Sequence, residues 1–210
     1  MEPFQTLRSL AAPLIRDNVD TDAIIPSREM KSVSKTGLSA GLFAGWRYTD
    51  VDARVPDPDF VLNQPAYHDA RILLGGGNFG SGSSREHAVW ALAEYGFRAV
   101  IATGFSPIFR GNCVRNGVLP IVLDPRPFDV PGLLLEIDLP AQEIRAGGET
   151  WHFEIDAEAK LMLTEGLDPI ALTLLDAPLI DAHESADRAA RAWAWSVLPA
   201  PLNSNLEEPA

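Results

Sequence analysis

Between Arg71 and Gly104 the sequence reads RILLGGGNFGSGSSREHAVWALAEYGFRAVIATG, and no other stretch restricts the fold as strongly. RILL and AVIATG are short apolar runs of the kind buried on both faces of a parallel sheet. The helical pattern over 84–95, closed by Gly96, supplies the crossover that two parallel strands require. A right-handed βαβ unit is therefore predicted. Downstream, SPIFRGNCVRN (106–116) predicts a second helix with Pro107 in its first turn and Gly117 just past its end, followed by the strand VLPIVL. LLLEIDL and TWHFEID alternate apolar and polar residues and predict a hairpin around Gly147 and Gly148.

Upstream, LIRDNVDTDAII (14–25) reads as a turn feeding a short strand before Pro26. Residues 31–66 are rich in Gly, Pro, Asp and Asn around Leu42, Phe43, Trp46 and Tyr48, which predicts a long functional loop carrying a short helix. Residues 168–192 are helical in composition. The expectation is one α/β domain over residues 1–198 with a disordered tail over 199–210.

With 210 residues and 46% hydrophobic content, the chain has enough apolar mass for one large core. Its 17 basic and 29 acidic residues leave a net charge of −12, which disfavours a nucleic-acid backbone or an anionic membrane surface as partner. No run of about 18 apolar residues predicts a membrane span, and the N-terminus lacks the apolar core of a signal peptide, so a cytoplasmic location is expected. Cys113 is the only cysteine, which excludes an internal disulfide and excludes this chain as sole owner of an iron-sulfur cluster or structural zinc site.

The glycine segment admits several readings. Gly75, Gly77 and Gly80 match dinucleotide-fingerprint spacing, but the helix starts too late, and AVIATG ends without the acid that would grip a ribose. No Gly-Lys-Ser/Thr follows for a P-loop, and no Gly-x-Ser-x-Gly for a hydrolase elbow. Ser83 and Glu86 fit a capping box. A cap does not need five glycines, whereas a backbone that approaches a ligand at a helix N-terminus does. Arg85 is poorly placed for the helix dipole and well placed to fork a carboxylate. The residues thus predict an anion site over 78–85. His87 reads as a packed residue, as does Cys113, and Asp20, Thr21 and Asp22 read as a turn bonded to its own backbone.

NVDTDAIIP, NFGSGSSREHA, ATGFSPIFRGNCVRNGVLPI and EGLDPIALTL, in this order along the chain, resemble the small subunits of 3-isopropylmalate dehydratases, the aconitase-related enzymes of leucine biosynthesis. The resemblance implies a swivelling β/β/α three-layer domain that caps a separate large subunit carrying the 4Fe-4S cluster. It implies a hydro-lyase that isomerises a dicarboxylate substrate, 2-isopropylmalate, by dehydration and rehydration. Ser83 falls on the serine that takes the carbon-bound proton, and Arg85 falls on the carboxylate-binding arginine, with Ser84 beside it. A helix end lowers the pKa of an alcohol by far less than would be needed to bring it to neutrality. Arg85 and the partner's iron must therefore supply much of the rest, and Ser83 is expected to be inert in the isolated chain.

The chain departs from the family at Ser81 and Val89, which read as packing variations. It departs more consequentially at Ser27-Arg28-Glu29-Met30-Lys31, a segment that borders the substrate in the family. Arg28 and Lys31 are candidate carboxylate contacts, weighed against a solvated basic turn. The rival functions are a paralogous small subunit for a homoaconitate, citraconate or dimethylmalate type of substrate, and a non-catalytic anion-binding module.

Overall fold

The structure is a computed structural model that describes residues 1–30 and 34–195. Two compact units divide the chain, Met1–Ile170 and Ala171–Ala210. The tail expected over 199–210 lies outside the described residues.

The first unit is built on a seven-stranded mixed sheet. Its strands are β1 (Thr6–Pro13), β4 (Ile72–Leu74), β5 (Ala99–Ala102), β6 (Leu119–Val122), β7 (Leu134–Asp138), β8 (Glu143–Ala146) and β9 (Glu149–His152), in the order β6-β5-β4-β1-β7-β8-β9. A small separate hairpin pairs β2 (Tyr48–Asp50) with β3 (Val55–Pro56). The helices are α1 (Thr21–Ile24), α2 (Ala44–Arg47), α3 (Glu86–Tyr95), α4 (Pro107–Arg115), α5 (Ala157–Glu165), α6 (Pro169–Leu174) and α7 (Ala177–Ala190).

The predicted βαβ unit is β4-α3-β5, and its strands pair in parallel, Ile72 to Ala99 and Leu74 to Ile101. Every residue of β4 and β5 is buried, as continuous apolar runs in a parallel sheet require. Helix α3 ends as predicted at Gly96, whose φ of 117° lets its amide reach the carbonyls of Leu92 and Ala93. The α/β class expected from the sequence is the class observed.

At four places the structure departs from the sequence reading or adds to it. The first concerns β1, which the sequence analysis did not predict and which is the centre of the sheet. Its Thr6–Leu10 half pairs antiparallel with β7, and its Ala11–Pro13 half pairs parallel with β4. TLRSLAAP has no β-branched or aromatic signal beyond its threonine, and pairing on both sides overrides that weak propensity. Second, residues 21–24 form helix α1 and not a strand, because the Asp20 carboxylate accepts from the Ala23 amide at 2.7 Å and caps the turn.

Third, the Gly147-Gly148 turn joins β8 to β9, so LLLEIDL is one strand earlier in a three-stranded meander. A turn closed by Gln142, with φ 57° and its amide on the Leu139 carbonyl at 3.1 Å, inserts β8. Fourth, the segment after β9 turns into α5, capped by Asp156 through the amides of Glu158 and Ala159 at 2.9 and 3.2 Å. The segment 34–66 carries the short helix α2 and returns to the core through buried Leu38, Leu42, Phe43, Phe60 and Leu62.

The described part of the second unit contains α7. There the Trp195 indole donates to Asp187 at 2.9 Å and Arg188 lies over the indole at 4.4 Å.

Candidate active site

Strands β1, β4 and β5 are parallel, and the loops that leave their carboxyl ends meet, which is where open α/β sheets build ligand sites. The loop after β4 is the glycine segment, and it is pinned on both sides. Towards the loop after β1, the Gly80 amide donates to the Val19 carbonyl at 2.7 Å, the Asn18 amide to Gly77 at 2.8 Å, and the Thr21 amide to Ser81 at 2.8 Å. Towards the loop after β5, the Phe79 amide donates to Gly104 and the Ser106 amide to Phe79, both at 2.9 Å. NVDTDA, NFGSGSSRE and GFSPIF, far apart in sequence, form one small patch.

The glycines are explained mainly by close approach. A Cβ on Gly80 would collide with the Phe109 ring, and its φ of 75° is a conformation that other residues resist. A Cβ on Gly76 would collide with the Arg16 carbonyl. The expected result for Gly80→Ala is therefore a destabilisation of about 3–6 kcal/mol from overpacking and backbone strain together, read from denaturant midpoints. A loss under about 1 kcal/mol would show that this loop is not held as described.

Ser83 and Ser84 are exposed, and Arg85 is partly covered. The expected capping box is not formed. Arg85 is itself the residue that opens α3, and no side chain caps the first-turn amides. The parallel bridge between Asp20 and Ser81 and the Thr21 hydroxyl, which donates to the Ser83 carbonyl at 2.9 Å, hold residues 81–83 outside the helix. Glu86, the expected reciprocal cap, instead accepts from the Asn116 side-chain amide at 2.7 Å, tying α3 to the end of α4. The start of α3 therefore carries no side-chain cap, and Ser83 lies three residues before its first helical residue.

Arg85 donates through Nη1 to Asp22 Oδ1, and its side chain remains 20% exposed. One end of the fork is thus oriented by a carboxylate of this chain, and other guanidinium donors are left for a second carboxylate. Thr21, Gly82, Ser83, Arg85, Ser106, Ile108 and Asn112 line a small concavity over the edge-to-face pair Phe79 and Phe109, centroids 5.6 Å apart. Of the residues singled out in the sequence, Ser83 and Arg85 line this concavity, whereas Ser84, between them in the chain, is exposed and is not among its lining residues. Arg28 is not among the lining residues: it is exposed, with Nε 3.7 Å from Glu29 Oε1. Lys31 lies outside the described residues.

The sequence analysis missed Thr21 and Asp22 as parts of the site. Asp20 does cap its own turn, but the neighbouring threonine and aspartate bond across the fold to Ser83 and Arg85. Glu94, at the far end of α3, was also missed. Its carboxylate accepts from the amides of Gly37, Leu38 and Ser39 at 2.6, 2.5 and 2.7 Å, fixing this segment to α3, the helix that follows the Ser83 loop. Burial pushes its pKa up, but the three amides outweigh this and hold it below the ordinary carboxylate value.

His87 packs on Trp90 with centroids 4.6 Å apart. Cys113 is fully buried, and burial pushes its thiol pKa strongly up, so it offers no thiolate to a metal. Among the described residues no group of three His, Cys, Asp or Glu side chains could hold a metal ion, and no helix is long and apolar enough to cross a membrane.

The family model of the aconitase C-terminal domain matches residues 1–126, the part of the chain that holds this site. A second model, LeuD_N, matches residues 129–157. The 3-isopropylmalate dehydratase small subunit of Cupriavidus necator is 55% identical over 206 residues, covering 92% of this chain and 98% of that protein. The corresponding subunit of Xanthobacter autotrophicus is 50% identical over 202 residues, covering 92% of this chain and all of that protein. The crystal structure of 3-isopropylmalate dehydratase from Methanocaldococcus jannaschii superposes with a TM-score of 0.65 at 28% identity, over 85% of this chain and 99% of that one. The chain belongs to the family of 3-isopropylmalate dehydratase small subunits.

Proposed function

We propose that this chain is the cytoplasmic small subunit of a heteromeric hydro-lyase that isomerises 2-isopropylmalate to 3-isopropylmalate in leucine biosynthesis. The observation that carries the reading is the Ser83 hydroxyl at an uncapped helix start beside Arg85, whose guanidinium is oriented by Asp22. This arrangement suits a dicarboxylate that must lose a carbon-bound proton.

The partner is the large subunit, and the 4Fe-4S cluster belongs there: this chain has one cysteine, which is buried, and no described cluster of metal-ligating side chains. When bound, that cluster supplies Lewis acidity toward the departing hydroxyl. Arg85 binds a substrate carboxylate with the donors that Asp22 leaves available, and the exposed Ser84 lies beside it. Ser83 Oγ takes the proton from the carbon adjacent to that carboxylate and returns a proton to the neighbouring carbon when water re-adds, so no net proton is consumed. The Thr21 hydroxyl on the Ser83 carbonyl keeps the base in register with Arg85. Arg85 and the free amides of α3 favour the deprotonated oxygen.

The test is a substrate panel on the complex reconstituted with a 3-isopropylmalate dehydratase large subunit. The highest kcat/KM is expected for 2-isopropylmalate, above homoaconitate, citraconate and dimethylmalate types. Turnover of one of those without 2-isopropylmalate turnover would replace the reading with a paralogous hydratase.

A further inference from the structure

We propose that Ile108 is a specificity-determining residue of this site, the wall against which the branched alkyl group of the substrate packs; this rests on the reading under Proposed function. Ile108 follows Pro107 at the start of α4 and is 54% exposed, whereas the next residue, Phe109, is 1% exposed. A lone exposed isoleucine is ordinary on a protein surface. Its place is what distinguishes it. The concavity's other side chains are Thr21, Ser83, Arg85, Ser106, Asn112 and the buried Phe109, so Ile108 brings the exposed aliphatic surface beside the carboxylate-binding arginine.

A hydroxy-dicarboxylate with a branched alkyl substituent needs both kinds of surface in one site. Charged groups satisfy the carboxylates, and desolvation of the alkyl group contributes on the order of 0.8 kcal/mol per methylene.

The position is also rigid. The amide of Ser106 is bonded to Phe79 at 2.9 Å, Pro107 fixes φ at the first helical residue, and Phe105 stacks on Phe109 with centroids 6.4 Å apart. A wall that does not retreat discriminates by size. Ile15 and Val122 are also exposed, at 37% and 44%, and neither lines the concavity.

The experiment compares wild type, Ile108→Ala and Ile108→Val in the reconstituted complex, on 2-isopropylmalate and on the analogue that carries methyl in place of isopropyl, with assembly followed by size exclusion. For Ile108→Ala, kcat/KM for the isopropyl substrate is expected to fall about 10–100-fold and that for the methyl analogue less than about threefold. Ile108→Val removes one methylene and is expected to lower the isopropyl-to-methyl ratio about fourfold, which keeps the test decisive if the alanine variant fails to assemble. A ratio unchanged in the valine variant, or equal losses on both substrates in an assembled alanine variant, would overturn the proposal and leave a packing or interface role. A wild-type complex inert on 2-isopropylmalate would overturn the underlying reading, and the proposal with it.

Discussion

Ser83→Ala, in a complex that still assembles, is expected to lower kcat for 2-isopropylmalate by about 10²–10⁴-fold, the range for a positioned general base, with little change in KM. The substitution removes one exposed oxygen. Ser83 caps no amide, because α3 opens at Arg85 without a side-chain cap, and the bond that fixes this loop is to the Ser83 carbonyl, which alanine retains. A stability change beyond about 0.5 kcal/mol is therefore not expected, and lost turnover reports chemistry. Near-wild-type turnover would remove Ser83 as the base and favour a non-catalytic anion-binding module.

Arg85→Gln is expected to act on the other kinetic parameter. Losing a charge-assisted carboxylate contact in a desolvated site costs about 2–4 kcal/mol, which corresponds to about 30–1,000-fold in kcat/KM, mainly through KM. Asp22 loses its partner in this variant, but its side chain is 56% exposed and water solvates it, so the folded state is little penalised. Arg85→Lys keeps the charge without the fork and is expected to recover only part of the loss, since one ammonium cannot serve Asp22 and a substrate carboxylate in the same geometry. Full recovery with lysine would show that charge alone, and not a shared guanidinium, holds the substrate.

The parts of the fold legible in the sequence were those where local pattern and tertiary structure agree. RILL and AVIATG are apolar throughout because both faces are covered, and Gly96 and Pro107 mark helix ends for backbone reasons independent of the rest of the chain. The strand that organises the sheet was illegible because Thr6–Pro13 owes its conformation to β7 along one half and β4 along the other. The same division holds at the site. Ser83, Ser84 and Arg85 were found because they share one segment with the glycines. The correction of Ser83 and Glu86 as a capping box came from partners more than 25 residues away: Thr21 on the Ser83 carbonyl, and Asn116 on the Glu86 carboxylate. Asp22 was read as a local turn residue because nothing in DTD says that its carboxylate crosses to Arg85. Local sequence therefore displayed the groups proposed to react, and the groups that hold them in place appeared only with the fold.

The central claim is that this chain supplies the base and carboxylate clamp of an enzyme completed by a metal-bearing partner. Its most direct test is 2-isopropylmalate isomerisation by the purified chain alone, by an iron-sulfur large subunit alone, and by the two combined. Turnover in the mixture with none in either component is the predicted result. Turnover by this chain alone, or a mixture that assembles with its cluster intact and remains inert on 2-isopropylmalate, would contradict the account.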